Sequence, residues 1–359
     1  MEKSTGFDLD LPGFQAWLLE RQLSNDGSTP LEAELLTGGR SNVTYRVSQG
    51  EREWVVRRPP FGHVMPSAHD MGREFTVLSG LRGRGFRVPQ PYAFCDDARV
   101  IGAPFLVMEF VAGSVYAHRS QTEGLAVEQT STLSEQLVSV LADLHAVNAD
   151  AVGLGDFGRP QGFLQRQVRR WQQQWELSQT RDFALMAEFA TRLHSRVGQL
   201  PTETDWSIIH GDYRLDNTIV DPETFQIRAV VDWEMSTLGH PMSDLALLLV
   251  YWTQPNDGLR KNVPLTDGVT DAAGFVSREQ IVGMYVERSG RSVDDLDVCI
   301  ALSCFKLAVI LESIRKRMIA GQQVGGSTTE ADELLLATDA LIEIGNLSLT
   351  IGGMQALSS

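Results

Sequence analysis

Short runs of β-branched and aromatic residues mark the first hundred positions of the chain. Residues 43–47 and 53–57 have the composition of strands, and the polar, glycine-containing segment between them predicts a hairpin turn. Two further runs, at 87–94 and 103–111, also predict strands. A helix is predicted over residues 70–81, because apolar side chains recur there at every third position. This half of the chain is therefore expected to be β-rich.

Helical spacing of apolar residues dominates the chain after Gly113. One long amphipathic helix is predicted to end near His145, and another is predicted over residues 163–177, where two tryptophans stand four positions apart. Residues 278–347 are also mostly helical in pattern. They are interrupted at 321–329 by a glycine- and threonine-rich stretch that predicts a mobile loop.

One β-like island, residues 206–233, lies inside this helical half. The pattern predicts a small β-rich lobe, a linker near residues 109–113 and a larger helical lobe. A length of 359 residues is better explained by one two-lobed unit, divided into residues 1–110 and 111–359, than by two independent domains.

The composition is that of a folded globular protein, with 43% hydrophobic and 21% charged residues. Asp plus Glu outnumber Lys plus Arg by 46 to 31, which gives a net charge of −15. This balance argues against a nucleic-acid partner, since a phosphate backbone calls for a basic surface. It permits a cationic ligand without requiring one, because an acidic excess also keeps proteins soluble.

Nothing in the sequence predicts export or membrane insertion. The N-terminus lacks the basic and apolar segments of a signal peptide, and the longest continuous apolar run, residues 245–252, is far shorter than the roughly 18 residues that a spanning helix needs. Three scattered cysteines are too few for a disulfide framework. We therefore expect a cytoplasmic protein without a membrane segment.

The β-like island places several oxygen-bearing side chains at the ends of short strands. One apolar strand ends in His210-Gly-Asp212, Asn217 follows five positions later, and a second apolar strand ends in Asp232. Carboxylate and amide oxygens suit Mg²⁺, which completes its shell with water and substrate phosphates. Asn217 and Asp232 are therefore predicted metal ligands, and Asp212 is left to accept a proton from a hydroxyl nucleophile.

This spacing matches the phosphoryl-transfer pattern H-x-D-x-x-x-x-N followed by a metal-binding Asp. A lone His-Gly-Asp is more often a tight turn, and an Asp at a strand end is more often a cap. The presence of Asn217 and Asp232 at the right separations favours the functional interpretation.

The β-rich half holds candidate nucleotide contacts. The glycine-rich segment 38–45, which includes Ser41 and Asn42, has backbone amides that can approach a triphosphate, although any hairpin uses such residues. Arg57 ends a predicted strand and is the candidate cation for the phosphates, with Glu74 as its ion-pair partner. The alternative for these two is an exposed strand end and a solvated helix face. The backbone of Glu109 and Val111 is a candidate contact for adenine, or part of a plain core strand.

The chain resembles the aminoglycoside phosphotransferase family, also called the phosphotransferase-enzyme family, over about residues 33–250. The resemblance implies an α+β, protein-kinase-like bilobal fold and a kinase that uses ATP and Mg²⁺ to phosphorylate a hydroxyl-bearing small molecule. The motifs that carry it are Leu36 to Tyr45, Val55 to Arg57, Arg73-Glu74, Leu106 to Gly113, Leu141 to His145, His210 to Asn217, Val231 to Glu234 and Asp244 to Ala246.

Residues 55–60 and 232–244 are most similar to the subgroup related to the kinase-like domain of acyl-CoA dehydrogenase fusion proteins. This likeness implies a hydroxyacyl acceptor, whereas the family name implies an amino sugar. Arg57 stands where the family has lysine. Arginine keeps the charge but is bulkier and forks onto phosphate oxygens, so the two are not equivalent.

Two further residues have roles that the resemblance implies. Asp244 is expected to brace the catalytic loop, with a helix N-cap as the alternative. Arg214 is expected to contact the transferred phosphoryl group and is a second candidate catalytic residue beside Asp212, with an exposed salt bridge as its alternative. His145 and His240 are expected to be structural.

Three functions remain open from the sequence. The leading hypothesis is the small-molecule kinase, and the second is a nucleotide-binding pseudokinase with a regulatory or partner-binding role, which the replacement of lysine by Arg57 favours. A metal-dependent hydrolase is a third, and it lacks a further His or Cys at ligand spacing. The oligomeric state and the acceptor stay open.

Overall fold

The computed structural model shows an α+β chain, with one antiparallel sheet near the N-terminus and a mostly helical remainder. The element order follows the predicted division into a β-rich and a helical half. The structure describes residues 9–38, 42–60, 70–201, 205–263, 265, 267–321 and 328–359.

The N-terminal sheet has five strands in the order β1-β2-β3-β5-β4, and each neighbouring pair is antiparallel. A helix, α1 (Leu11–Glu20), precedes the sheet, and a second, α2 (Met71–Arg82), connects β3 to β4. The strands are β1 (Glu32–Gly38), β2 (Val43–Gln49), β3 (Arg52–Arg58), β4 (Pro91–Cys95) and β5 (Phe105–Glu109).

The two faces of this sheet are buried in different ways. On one face, Val47 and Val56 pack with Phe14 and Trp17 of α1 in a small separate core. On the other face, Val55 joins the large core that also contains α2 and the helices that follow. Because β3 is covered on both faces, its last five residues are all buried, the two terminal arginines included, and exposed positions do not alternate with buried ones there.

The helical part surrounds two short strand pairs. β6 (Ser207–Ile209) pairs with β9 (Thr237–Gly239), and β7 (Thr218–Val220) pairs with β8 (Ile227–Val230). The helices are α3 (Val127–His145), α4 (Phe163–Ser178), α5 (Ala184–Gly198), α6 (Met242–Tyr251), α7 (Arg278–Ser289), α8 (Leu296–Ile319), α9 (Thr328–Ile351) and α10 (Gly353–Ser358).

Most predicted elements are present, with shifted ends. The hairpin, the four predicted strands, the helix over 70–81 and the β-like island are all found, and the long helix that ends at His145 begins earlier, at Val127. The sequence analysis did not identify α1 or α5, although Met186, Phe189 and Leu193 of α5 are buried at helical spacing. Most of the predicted mobile loop lies outside the described residues.

One helix in the described part of the chain is long and apolar enough to cross a membrane by length and composition alone. This is α9, over Glu330–Ile351, with a mean hydropathy of 1.5. In this structure α9 packs along α8, and 44% of its apolar stretch of 18 residues is buried. Because the core helix of a globular protein passes the same test, the absence of a membrane segment stays a prediction.

Candidate active site

The His-Gly-Asp motif forms a tight turn that begins directly after β6. His210 is fully buried; its Nε2 lies 2.9 Å from the Val231 carbonyl, and its Nδ1 accepts from the Asp212 amide. These contacts assign the proton to Nε2. Gly211 has φ +83°, and a Cβ at this position would lie 2.6 Å from the Met235 carbonyl oxygen, so only glycine fits.

Asp244 braces this turn from α6. Its two carboxylate oxygens accept the amides of His210 at 2.6 Å and Gly211 at 2.8 Å. Burial raises the pKa of Asp244, but His145 and the bonded amides lower it by more, so the carboxyl is held ionised. The helix begins at Met242 with Pro241 as its N-cap, so the alternative that Asp244 is a helix cap is wrong.

The buried His145 lies behind Asp244 and completes a chain of polar contacts. Its Nε2 lies 3.4 Å from Asp244, and its Nδ1 accepts from the Tyr285 hydroxyl at 2.7 Å. His240 is also buried and contacts Asp295 at 3.2 Å. Both histidines hold helices together, as expected of structural residues.

The Asp212 carboxylate is directed by residues of its own loop and of α6. It accepts the Tyr251 hydroxyl at 2.9 Å and the Asn217 side-chain amide at 3.2 Å, and the Arg214 Nε lies 3.7 Å away. Burial raises the pKa of Asp212, but Arg214, Lys306 and the Tyr251 hydroxyl lower it below its usual range. At neutral pH this group is a carboxylate, which is the form that can accept a proton.

The register of β7 and β8 brings Asn217 and Asp232 to the same edge. Thr218 pairs with Val230, and the Asn217 carbonyl accepts the Val231 amide, so Asp232 follows directly after the residue opposite Asn217. The side-chain amide hydrogens of Asn217 go to Asp212, which leaves its Oδ1 for another ligand. The Asp232 side chain is one-third exposed.

These two side chains fit a magnesium ion better than a transition metal. They supply one amide and one carboxylate oxygen, and Mg²⁺ is commonly held by one or two carboxylates together with substrate phosphates and water. Among the described residues, no group of three or more His, Cys, Asp or Glu side chains forms a metal cage of its own. A metal-dependent hydrolase therefore gains no support.

Arg57 is buried at the centre of three carboxylates. Its guanidinium donates to Glu74 at 2.9 Å and to Asp232, and it lies 3.6 Å from Glu234. The pKa of Glu74 is raised to about 7, chiefly by burial. Asp232 and Glu234 also raise this pKa, whereas Arg57 lowers it. The alternatives of an exposed strand end and a solvated helix face are wrong, since Arg57 and Glu74 are 7% and 2% exposed.

The other predicted nucleotide contacts differ in outcome. The Asn42 side chain donates to Glu234 at 2.9 Å and so joins the sheet to the segment after Asp232. Ser41 lies outside the described residues. The Glu109 amide donates to the Gln90 carbonyl at 2.8 Å and is therefore already bonded, and a contact between the Glu109 backbone and adenine stays a prediction. Within the described residues, the Val111 amide has no hydrogen-bond partner.

The sequence model of the phosphotransferase enzyme family matches residues 32–268 of this chain. The chain belongs to the phosphotransferase enzyme family. Human acyl-CoA dehydrogenase family member 11 is 32% identical over 79% of this chain, a region that is 36% of the human protein. The chain spans about a third of the length of the curated relatives that it matches first.

Solved structures agree with this family. A candidate aminoglycoside phosphotransferase from Ralstonia eutropha JMP134 is 32% identical, with a TM-score of 0.78 over 96% of this chain and 99% of the other. The GDP complex of aminoglycoside 2'-phosphotransferase-IIIa is 15% identical, with a TM-score of 0.58 over 93% of this chain and 98% of the other, and shows the fold alone. The predicted protein-kinase-like α+β fold is confirmed.

Arg214 of this family member is neither exposed nor unpaired. Its Nε lies 2.8 Å from Asp216, its guanidinium carbon lies 4.7 Å from the centre of the Tyr251 ring, and its side chain is 23% exposed. The salt bridge of the alternative interpretation is therefore present, but it is partly buried rather than exposed. Contact between Arg214 and a transferred phosphoryl group stays a prediction.

A cavity of about 580 Å³ opens beside the loop that contains Gly211 and Asp212. It lies between α4, α8 and residues 234–237; it reaches the loop at Gly211, and Lys306 lines it from α8. Four cationic residues line it, Arg73, Arg170, Lys306 and Arg317, against two acidic ones, Glu234 and Asp244. Arg170 and Arg317 form no ion pair with any residue that the structure describes.

Sequence reasoning missed three residues of this site, Tyr251, Lys306 and Glu234. Tyr251 and Lys306 contact the loop from helices that lie 39 and 95 positions further along the chain. No local pattern signals such contacts. Glu234 was part of the quoted Asp-Trp-Glu motif, and its contacts with Asn42 and Arg57 appear only once the sheet and the loop are brought together.

Proposed function

We propose that this chain is a small-molecule kinase that transfers the γ-phosphoryl group of ATP to a hydroxyl of its acceptor, with Mg²⁺ as cofactor. The observation that carries the proposal is the meeting of Asp212, Asn217 and Asp232 at one loop, opposite Arg57 on the sheet. Family membership and the fold shared with a GDP-binding aminoglycoside phosphotransferase support it.

Each residue has a definite task in this reaction. The acceptor hydroxyl oxygen forms a bond to the γ-phosphorus while the bond to the bridging oxygen of ADP breaks, and Asp212 takes the hydroxyl proton. Arg57, held by Glu74, binds phosphate oxygens of the nucleotide. When bound through Asn217 and Asp232, Mg²⁺ neutralises charge on those phosphates.

We further propose that the acceptor carries an anionic group and occupies the cavity beside Gly211. Arg170 and Arg317 face this space without a described ion-pair partner, and Lys306 lies between them and the loop. Two acidic residues also line the cavity. Asp244 already accepts two backbone amides, and Glu234 accepts the side-chain amide of Asn42. A polycationic amino sugar would meet like charge here, whereas an anionic hydroxyacyl compound would meet opposite charge.

The relatives favour the same acceptor class. The names of the matched curated proteins describe acyl-CoA dehydrogenases, and this chain corresponds to only about a third of the length of each. A kinase linked to a dehydrogenase of acyl thioesters is well placed to act on a hydroxylated acyl thioester, whose carrier is rich in phosphate.

A Mg²⁺–ATP screen with matched acceptors tests this proposal. We expect ADP release and a phosphorylated product, detected by mass spectrometry, with hydroxyacyl thioesters, and neither with aminoglycosides or choline. Chelation of Mg²⁺ should abolish transfer. Transfer to an aminoglycoside at a comparable kcat/KM would contradict the anionic acceptor, and no transfer to any hydroxyl compound would contradict the kinase.

One contact favours a second candidate, a nucleotide-binding protein that transfers nothing. The Arg57 guanidinium is bonded to Asp232, so one oxygen of a proposed metal ligand is already in use. Tight binding of ATP that does not depend on Mg²⁺, together with no product in the screen, would support this alternative. Binding that strengthens with Mg²⁺ would count against it.

A further inference from the structure

Lys306 contacts the catalytic loop from the middle of α8, a helix to which the sequence analysis assigned no motif. Its neighbours Phe305 and Leu307 are buried in the large core, whereas Lys306 itself is half-buried and lines the cavity. The Lys306 ammonium donates to the Gly211 carbonyl at 2.6 Å. A lysine in such a helix needs a polar partner, because a buried charge without one is costly.

With the Lys306 contact, the peptide groups on both sides of Gly211 are held by hydrogen bonds. The Gly211 amide donates to Asp244 at 2.8 Å, and the Gly211 carbonyl accepts from Lys306. Gly211 adopts a left-handed φ of +83°, and Met235 lies so close that no side chain fits at this position. With its amide, carbonyl and φ all fixed, Gly211 determines where the next residue, Asp212, begins.

The charges around Lys306 agree with this geometry. Asp212 and Asp244 face it from the loop and from α6, and Arg170 and Arg214 oppose it from α4 and the loop. Burial lowers the pKa of Lys306, as do the two arginines, whereas the two carboxylates raise it. The attraction of the two carboxylates therefore acts in the same sense as the hydrogen bond that holds the ammonium at the loop.

We propose that Lys306 is a positioning residue for phosphoryl transfer, which acts through the Gly211 carbonyl to fix the position of the Asp212 carboxylate. The inference rests on the proposed kinase function and adds a residue from outside the family motifs. Misplacing a reacting group by about 1 Å can cost on the order of a hundredfold in rate. The effect should therefore appear in kcat rather than in nucleotide binding.

Three variants test the role of Lys306. Lys306→Met should lower kcat by about tenfold or more while the KM for ATP changes less than about twofold, because the nucleotide contacts are untouched. Lys306→Arg, which keeps the charge and the donors, should restore part of the loss. Lys316→Met is the matched control, since Lys316 lies on the same helix and donates to the Leu177 carbonyl, also at 2.6 Å.

Hydrogen–deuterium exchange supplies a readout that does not depend on activity. Amides of residues 208–217 should exchange faster in Lys306→Met and at the wild-type rate in Lys316→Met. A Lys306→Met variant with kcat within twofold of wild type, or with unchanged exchange in this segment, would overturn the proposal. If the wild type phosphorylates no acceptor, the kinase assignment fails, and the exchange result alone decides whether Lys306 fixes the loop.

Discussion

At the scale of single residues, Arg57 shows how one side chain joins the two halves of the site. It extends from β3, is held by Glu74 of α2, and reaches Asp232 at the end of β8. Burial by itself lowers the pKa of Arg57, but the surrounding carboxylates raise this pKa by more than burial lowers it. The guanidinium therefore stays charged. A planar fork can bridge two acidic groups at once, which the point charge of lysine does less well.

Replacing Arg57 should weaken nucleotide binding in a graded way. Arg57→Met should raise the Kd for Mg²⁺–ATP by about 10- to 100-fold, because a charged hydrogen bond contributes roughly 1.5–3 kcal/mol. Arg57→Lys should keep most of the affinity, since the charge remains. Calorimetric titration measures both.

The control for this series is Arg99→Met, which removes an exposed arginine–aspartate pair from the same N-terminal part of the chain. Its Kd should match that of the wild type. Wild-type affinity in Arg57→Met would show that the guanidinium does not bind the nucleotide.

Spacing along the chain was enough to predict Asp212, Asn217 and Asp232, because a strand end and a short loop place them together. Arg57 and Glu74 were also predicted as a pair. Tyr251 was not, since its hydroxyl reaches Asp212 from the last residue of α6, and only tertiary packing decides that contact. The same holds for the contact between Lys306 and Gly211.

At the scale of elements, α6 holds the catalytic loop at two points. Asp244 lies in its first turn and bonds the amides before Asp212, and Tyr251 ends the helix and bonds the Asp212 carboxylate. These two residues stand seven positions apart, which is about 10 Å along the helix. His145 of α3 contacts Asp244 in turn, so the loop depends on this polar contact between α3 and α6.

The burial of His145 predicts that the protein loses stability in mild acid. Burial lowers the pKa of His145 below its ordinary value of 6.5, although Asp244 acts in the opposite direction. The unfolded chain then binds a proton more readily than the folded chain, so the free energy of unfolding falls as the pH drops through about 6.5. Denaturant unfolding of wild type and His145→Gln, at pH 7.5 and 5.5, measures this.

His145→Gln keeps a donor for Asp244 and an acceptor for Tyr285 but does not titrate. We expect the wild type to lose more unfolding free energy than this variant over the same pH interval. Parallel losses in the two proteins would show that His145 is not the group responsible.

Element patterns were predicted with differing success for physical reasons. The helices α3 and α4 were found because one face of each is apolar and the other polar. The strand β9 has only three residues, and it exists because β6 lies beside it. A segment that short has no periodicity of its own, so its sequence could not reveal it.

At the scale of the whole molecule, the net charge of the chain has the opposite sign to the charge of the residues that line the cavity. The chain carries a formal charge of −15, yet the cavity beside the loop is lined by four cationic residues and two acidic ones. The composition therefore does not reveal the charge around this cavity, because a sum over 359 residues hides the few that line it. The exclusion of nucleic acid stays a prediction.

Contacts across the middle of the molecule join the sheet to the helical part. Arg57 reaches Asp232, Asn42 reaches Glu234, and Arg73 of α2 donates to the Phe157 and Ser236 carbonyls. Every one of these contacts joins residues that lie more than 80 positions apart. The division at residue 110 remains a prediction about folding units, but the site itself draws on both sides of it.

The central claim is that Asp212 takes the acceptor proton while the other residues bind the nucleotide. The most direct test is single-turnover transfer from radiolabelled ATP in wild type and Asp212→Asn, with Mg²⁺ and the best acceptor from the screen. We predict that Asp212→Asn binds ATP within about threefold of wild type, because the substitution preserves size, and transfers its label at least about a thousandfold more slowly. Transfer by Asp212→Asn within tenfold of the wild-type rate would contradict the account.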